Sequence, residues 1–120
     1  MQPSQAVILS SGVRTPFGDF GKGLRDVPLA SMSVHVVQAS LARAMLEPQR
    51  VDHLVFGTTA SVDHEGLFIS RKVALESGLP LESASMGVVR ACGTGSQAIV
   101  SAATQIVTGH SQVAVAAGAE

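Results

Sequence analysis

Four short apolar runs of strand type alternate with helix-type segments along 120 residues, and this alternation limits the fold more than any other feature. The runs are 6–11 (AVILSS), 51–60 (VDHLVFGTTA), 85–91 (SMGVVRA) and 112–120 (QVAVAAGAE). From Leu29 onward, Val34, Val37, Leu41, Ala44 and Met45 recur at helical spacing, and Pro48 lies just past the expected end. A shorter helix around Ile69–Glu76 stops at Gly78 and Pro80, while Ala98, Ile99, Ala102, Ala103, Ile106 and Val107 form one helical face that Gly109 ends. Segment 12–23 is too rich in glycine and proline for either regular element, and 62–68 reads as a loop. The order βαβαβαβ argues for an α/β fold, a mostly parallel sheet with helices on both faces.

A chain of this length forms one domain at most and buries roughly two-thirds of the surface its unfolded form exposes. With no Trp or Tyr and only four Phe, its core must be built from Val, Ala, Leu, Ile and Met. A net charge of −1, with 8 Lys and Arg scattered along the chain, provides no footprint for nucleic acid or an anionic membrane. One cysteine excludes an internal disulfide and cannot build a structural zinc site, so a reducing cytoplasm is the simplest location. The opening residues lack the pattern of a signal peptide, and no apolar run approaches the roughly 20 residues of a membrane span. Glu120 directly follows an apolar strand, as in the first part of a longer fold.

The single cysteine lies in VVRACGTGSQAI, residues 88–99, between a strand and a helix. In α/β sheets, sites collect at the carboxyl ends of strands, where helices point their N-termini. Unpaired N–H groups and the positive end of the helix dipole would stabilise a Cys92 thiolate there. Gly93 and Gly95 would permit a positive φ and a close approach of substrate to the main chain, as an oxyanion-binding N–H requires. Two other readings stand beside the nucleophile. A free cysteine is often a small buried hydrophobe. GTGSQA also fits G-x-G-x-x-G/A, with Glu120 as a ribose-binding acid, although that fingerprint usually occupies the first βα turn of its domain.

Other polar residues suggest less. Asp63, His64 and Glu65 are consecutive and read as a solvated loop, because neighbouring side chains do not converge on one metal. His35, His53 and His110 are isolated and fit surface or capping roles. Arg14 fits bracing of its loop better than phosphate binding.

VRACGTGSQAI resembles the nucleophile segment of the thiolases, usually Asn-Arg-x-Cys-x-Ser-Gly-x-Gln-Ala, and VRTPFGDFGKGLRDVP (13–28) resembles the family's opening signature. VDHLVFGT, SRKVALESGLP and VAVAAGAE follow in the family's order, so the resemblance runs nearly end to end. It implies a fold of two similar halves, of which residues 1–120 are most of the first. It also implies Cys92 as the acyl-accepting nucleophile, CoA thioesters as substrates with no further cofactor or metal, and a homodimer or dimer of dimers when intact, with 85–91 as the edge strand at the two-fold axis. In the family the remaining catalytic groups, a His, a second Cys and an Asn, come from the second half; the 120 residues alone are therefore not expected to turn over. A non-catalytic fragment or dimerisation module is the other reading, and a dinucleotide-binding domain a lesser one. Four departures stand out: Val89 replaces Asn, Thr94 replaces Ser and keeps the hydroxyl, Ser96 replaces an apolar residue, and GLFISR keeps only Arg71 of the family's usual loop.

Overall fold

Five consecutive buried residues, His53–Gly57, form β1, the central strand of a three-stranded parallel sheet ordered β2-β1-β3. A computed structural model of the chain describes residues 6–60 and 66–120. The flanking strands are β2, Ala84–Val88, and β3, Ala114–Gly118. His53 pairs with Ala84 and Ala114, and Gly57 pairs with Val88 and Gly118, so all three strands begin and end at the same levels.

The alternation of side chains along β1 divides the core between two helical layers. Leu54 and Phe56 pack with Ala30, Val37 and Leu41 of α1 (Leu29–Arg43) and with Ile69, Val73 and Ala74 of α2 (Ile69–Glu76). Val55 packs on the opposite face with Ala98 and Ala102 of α3, Thr94–Val107. Burying a side chain such as Phe56 or Leu54 contributes about 1.5–3 kcal/mol. Parallel crossovers are right-handed. The step from β1 to β2 through α2 runs opposite to the step from β2 back past β1 to β3 through α3, so these two helices must cover opposite faces. Adjacent strands β1 and β2 thus send their connections to different faces, the arrangement that opens a crevice beyond their carboxyl ends.

The later elements follow the sequence reading closely. Helix α2 has the expected bounds and turns at Gly78, whose φ is +87°; α3 turns at Gly109 with φ +78°. The first apolar run departs from it. Residues 6–11 form no strand: the segment runs beside α1, where Ser40 Oγ donates to the Ser11 carbonyl at 2.8 Å and Arg43 donates to the Gly12 carbonyl at 2.8 Å. Ile8 and Leu9 are exposed. An apolar run becomes a strand only where a neighbouring strand takes its backbone hydrogen bonds, and a cleft of about 1450 Å3 lies here instead. Residues 7–13 line one wall of it; β3, α1 and α3 line the others. Met45, expected on the α1 apolar face, is exposed at φ +53° just past the helix.

Candidate active site

Cys92 lies just beyond the carboxyl end of β2. The chain leaves β2 at Val88, passes Arg90 at φ −149°, and makes one tight helical turn, Ala91–Gly93, before α3 begins at Thr94. Cys92 is exposed in this turn and lines the cleft with Ala91, Thr94 and Gly95. The thiol is therefore not a buried hydrophobe. It stands two residues ahead of the first residue of α3, at the end where unpaired N–H groups and the positive dipole lie.

Thr94 holds the turn together. Its hydroxyl accepts a hydrogen bond from the Arg90 N–H at 2.8 Å and donates to the Ala91 carbonyl at 2.7 Å, while the Gly93 N–H donates to the Arg90 carbonyl at 2.9 Å. Thr94 itself is buried against the end of β1: a Cβ at Gly57 would lie 2.7 Å from Thr94 Cγ2 and 3.2 Å from its carbonyl oxygen. Glycine at 57 is thus required for close approach. Further out, Arg90 donates to Gln97 at 3.0 Å, and Gln97 donates to Ser101 at 3.0 Å.

The left-handed residue of the turn is Ala91, with φ +44°, rather than Gly93 or Gly95. Gly93 has φ −90°, and Gly95 lies inside α3. The strain falls on Ala91 because the double hydrogen bond through Thr94 sets the path from Arg90 into the helix. Open space at Gly95, where a Cβ would meet nothing within 4 Å, keeps the expected access to the main chain.

At the same end of the sheet, Glu120 follows β3 and reaches across to the residues after β1. Its carboxylate accepts from the Thr59 N–H at 3.0 Å, the Ala60 N–H at 3.0 Å, the Thr59 hydroxyl at 2.6 Å and the Thr58 hydroxyl at 3.4 Å. Burial pushes this carboxyl up, but the bonds from Thr59, Ala60 and Thr58 together outweigh it and hold the group below its usual range. These bonds turn the Glu120 carboxylate toward residues 58–60, where it acts as a structural acceptor across the strand ends. Gly118 allows the two strand ends to close: a Cβ there would lie 2.9 Å from the Gly57 carbonyl oxygen.

The remaining sequence candidates separate. Arg14 bonds its neighbour's carbonyl at 3.0 Å and lies over the Phe17 ring, bracing only its own loop. Arg71 donates to the carbonyls of Ser83 at 2.7 Å and Leu81 at 2.8 Å, tying α2 to the approach to β2. His35 is exposed, and His110 pairs with the Thr108 hydroxyl. His53 corrects the surface expectation: it is buried at the head of β1, its Nε2 has no partner among the described residues, and burial lowers its pKa. Asp63, His64 and Glu65 lie outside the described residues. Among the described residues no three potential ligands gather as a metal site, and no helix is long and apolar enough to cross a membrane. Sequence reading missed the roles of Gly57, Gly118, Thr59 and Glu120. Their signal was a glycine at the end of each of two strands, one followed by Thr-Thr and the other by Ala-Glu.

Comparison with known proteins decides the family. The thiolase N-terminal domain profile matches residues 7–120. The chain belongs to the thiolase family. It is 39% identical over 117 residues to the β-ketothiolase BktB of Cupriavidus necator, covering 98% of this chain and 30% of that protein. The crystal structure of the Bacillus anthracis acetyl-CoA acetyltransferase superposes with a TM-score of 0.82 at 37% identity, over 88% of this chain and 27% of that one. Human mitochondrial 3-ketoacyl-CoA thiolase, solved in complex with CoA, superposes with a TM-score of 0.79 at 30% identity, over 82% and 25% of the two chains. This thiolase chain thus spans about 30% of the length of the curated relatives it matches.

Proposed function

We propose that this thiolase chain performs the acyl-accepting step of an acyl-CoA acyltransferase, with Cys92 as the nucleophile. The observation that carries the reading is the exposed thiol in a braced turn, at the start of α3 and on the wall of a large cleft. The Cys92 sulfur attacks the carbonyl carbon of an acyl-CoA thioester, forming a new carbon–sulfur bond. The bond to the CoA sulfur then breaks, CoA leaves as its thiol, and the acyl group remains on Cys92. The proton lost by Cys92 balances the one gained by CoA. One thioester replaces another, so the step is reversible and calls for no metal or further cofactor. In the intact enzyme it serves 3-oxoacyl-CoA thiolysis or the reverse condensation.

These 120 residues contain a single cysteine and carry this half-reaction alone. The edge of β2 away from β1 carries no strand among the described residues, which supports a homodimer built across that edge. A cysteine nucleophile has to stay reduced, which suits a reducing, cytoplasmic location.

Incubating the full chain with acetyl-CoA should place one acetyl group on Cys92, read by mass spectrometry of the peptide that contains it, with release of one CoA. Cys92→Ser should abolish both. A folded chain that takes up no acetyl group would instead be a non-catalytic or dimerisation module, and steady thiolysis of acetoacetyl-CoA by the 120 residues would refute the half-reaction limit.

A further inference from the structure

We propose that Glu120 is a positioning residue for Cys92: its carboxylate fixes residues 58–60, and through the contact of Gly57 with Thr94 it fixes the turn that presents the thiol. The inference rests on the reading of Cys92 as nucleophile. Its geometry is a short chain of contacts. Both carboxylate oxygens of Glu120 lie 3.0 Å from the Thr59 N–H, and one also takes the Ala60 N–H and the Thr59 hydroxyl. Thr58, held by this clamp, donates its N–H to the Val88 carbonyl at 3.4 Å, at the point where β2 gives way to the Cys92 turn. One residue earlier, Gly57 is the surface against which Thr94 is packed, and Thr94 bonds both Arg90 and Ala91 on the amino side of Cys92.

Glu120 has no ion pair among the described residues. Its partners are all donors from one three-residue segment, so its structural effect is to set the path of that segment. Thr59, Glu120 and Cys92 line the same cleft, so a shift of residues 58–60 changes the wall that faces the thiol. A carboxylate suits the position because both of its oxygens accept. Glutamine would turn an NH2 group toward the donors of Thr59 and Ala60. Threonine at 59 supplies two of the donors, and serine would keep both.

The test compares the full chain with Glu120→Gln, Thr59→Val and Thr59→Ser, measuring the rate of Cys92 acetylation against acetyl-CoA concentration and the fraction folded by chemical denaturation. Glu120→Gln and Thr59→Val should lower the maximal acetylation rate about tenfold with the half-saturating acetyl-CoA concentration within about twofold, since a misplacement near 1 Å is enough for such a loss. Thr59→Ser should restore the rate. Maximal rates equal to the parent, or losses no larger than the unfolded fraction, would overturn the proposal. Should Glu120→Gln fail to fold, Thr59→Val carries the test, because it deletes one hydroxyl and keeps the side-chain shape. Should the parent chain accept no acetyl group, the nucleophile reading fails by itself, and alkylation of Cys92 by iodoacetamide decides the positioning role. A rate changed about threefold in folded Glu120→Gln retains it, and an unchanged rate overturns it.

Discussion

The two ends of the sheet each carry one carboxylate that spans β1 and β3, yet they are built for different purposes. At the amino end, Asp52 accepts the N–H groups of Gln112 at 2.7 Å and Val113 at 3.0 Å. Its own N–H donates to the Val113 carbonyl, and its carbonyl accepts from Ala84, so one residue joins the entrances to all three strands. Ser83 Oγ donates to the Val51 carbonyl beside it. At the carboxyl end, Glu120 makes the corresponding bridge, but the space between the strands is filled by Gly57, Gly118 and Thr94, and the next turn leaves a thiol exposed at a residue beyond a left-handed alanine. One end is closed by hydrogen bonds among the residues that lead into the strands. The other depends on missing side chains and on a strained turn, which is where functional groups are usually held.

The two ends should differ most at the glycines. Gly118→Ala sets a Cβ against the Gly57 backbone, and Gly57→Ala sets one against Thr94, so each should destabilise the chain by about 1–3 kcal/mol in denaturant unfolding. Alanine at Gly95, an open position, should cost far less. Equal effects at all three would remove the distinction. Next, Thr94→Val deletes the acceptor for the Arg90 N–H and the donor to the Ala91 carbonyl, a loss of about 1–2 kcal/mol together with slower labelling of Cys92. Thr94→Ser should recover both. The amino end answers differently: Asp52→Ala should cost about 1 kcal/mol, by analogy with a lost helix cap, and leave the rate of Cys92 labelling in the folded protein unchanged. A fall in that rate would mean the two ends are mechanically coupled.

Mild acid should produce the smallest effect. His53 has a lowered pKa because burial disfavours its charged form. The unfolded chain therefore binds this proton first, and stability is lost as pH falls from about 6.5 toward the folded value. Asp52 is held low by the N–H groups of Val113 and Gln112, and Glu120 is also held low. Their stabilisation is present above the ordinary carboxylate range and is lost as pH falls through the lowered values. A denaturation midpoint followed against pH should show a histidine step that His53→Gln removes, then a steeper fall below about pH 4.5.

Much of the site was legible because its signals are local. The position of Cys92 after a strand and before a helix and the hydroxyl at Thr94 follow from a stretch of twelve residues, whereas the exposure of the thiol, which the sequence left open, comes from the structure. The glycine reading of the turn failed because the left-handed conformation is imposed at Ala91 by hydrogen bonds from Thr94, and no composition rule reveals which residue in a loop will carry that strain. His53 read as a surface residue because an isolated histidine gives no burial signal. Its place at the head of the central strand decides that burial.

By itself, the sequence determined the alternation of strands and helices, the two helical layers and the placement of the thiol at a strand end. Apolar periodicity and turn residues act over a few positions, and they act before any distant contact forms. Tertiary structure alone decided that the first apolar run lies beside α1 without becoming a strand, that β1 is central, and that Glu120 bonds Thr59 across 61 positions of sequence. Those outcomes depend on which backbone edges and which carboxylates meet in space, and a linear pattern of side chains does not specify such meetings.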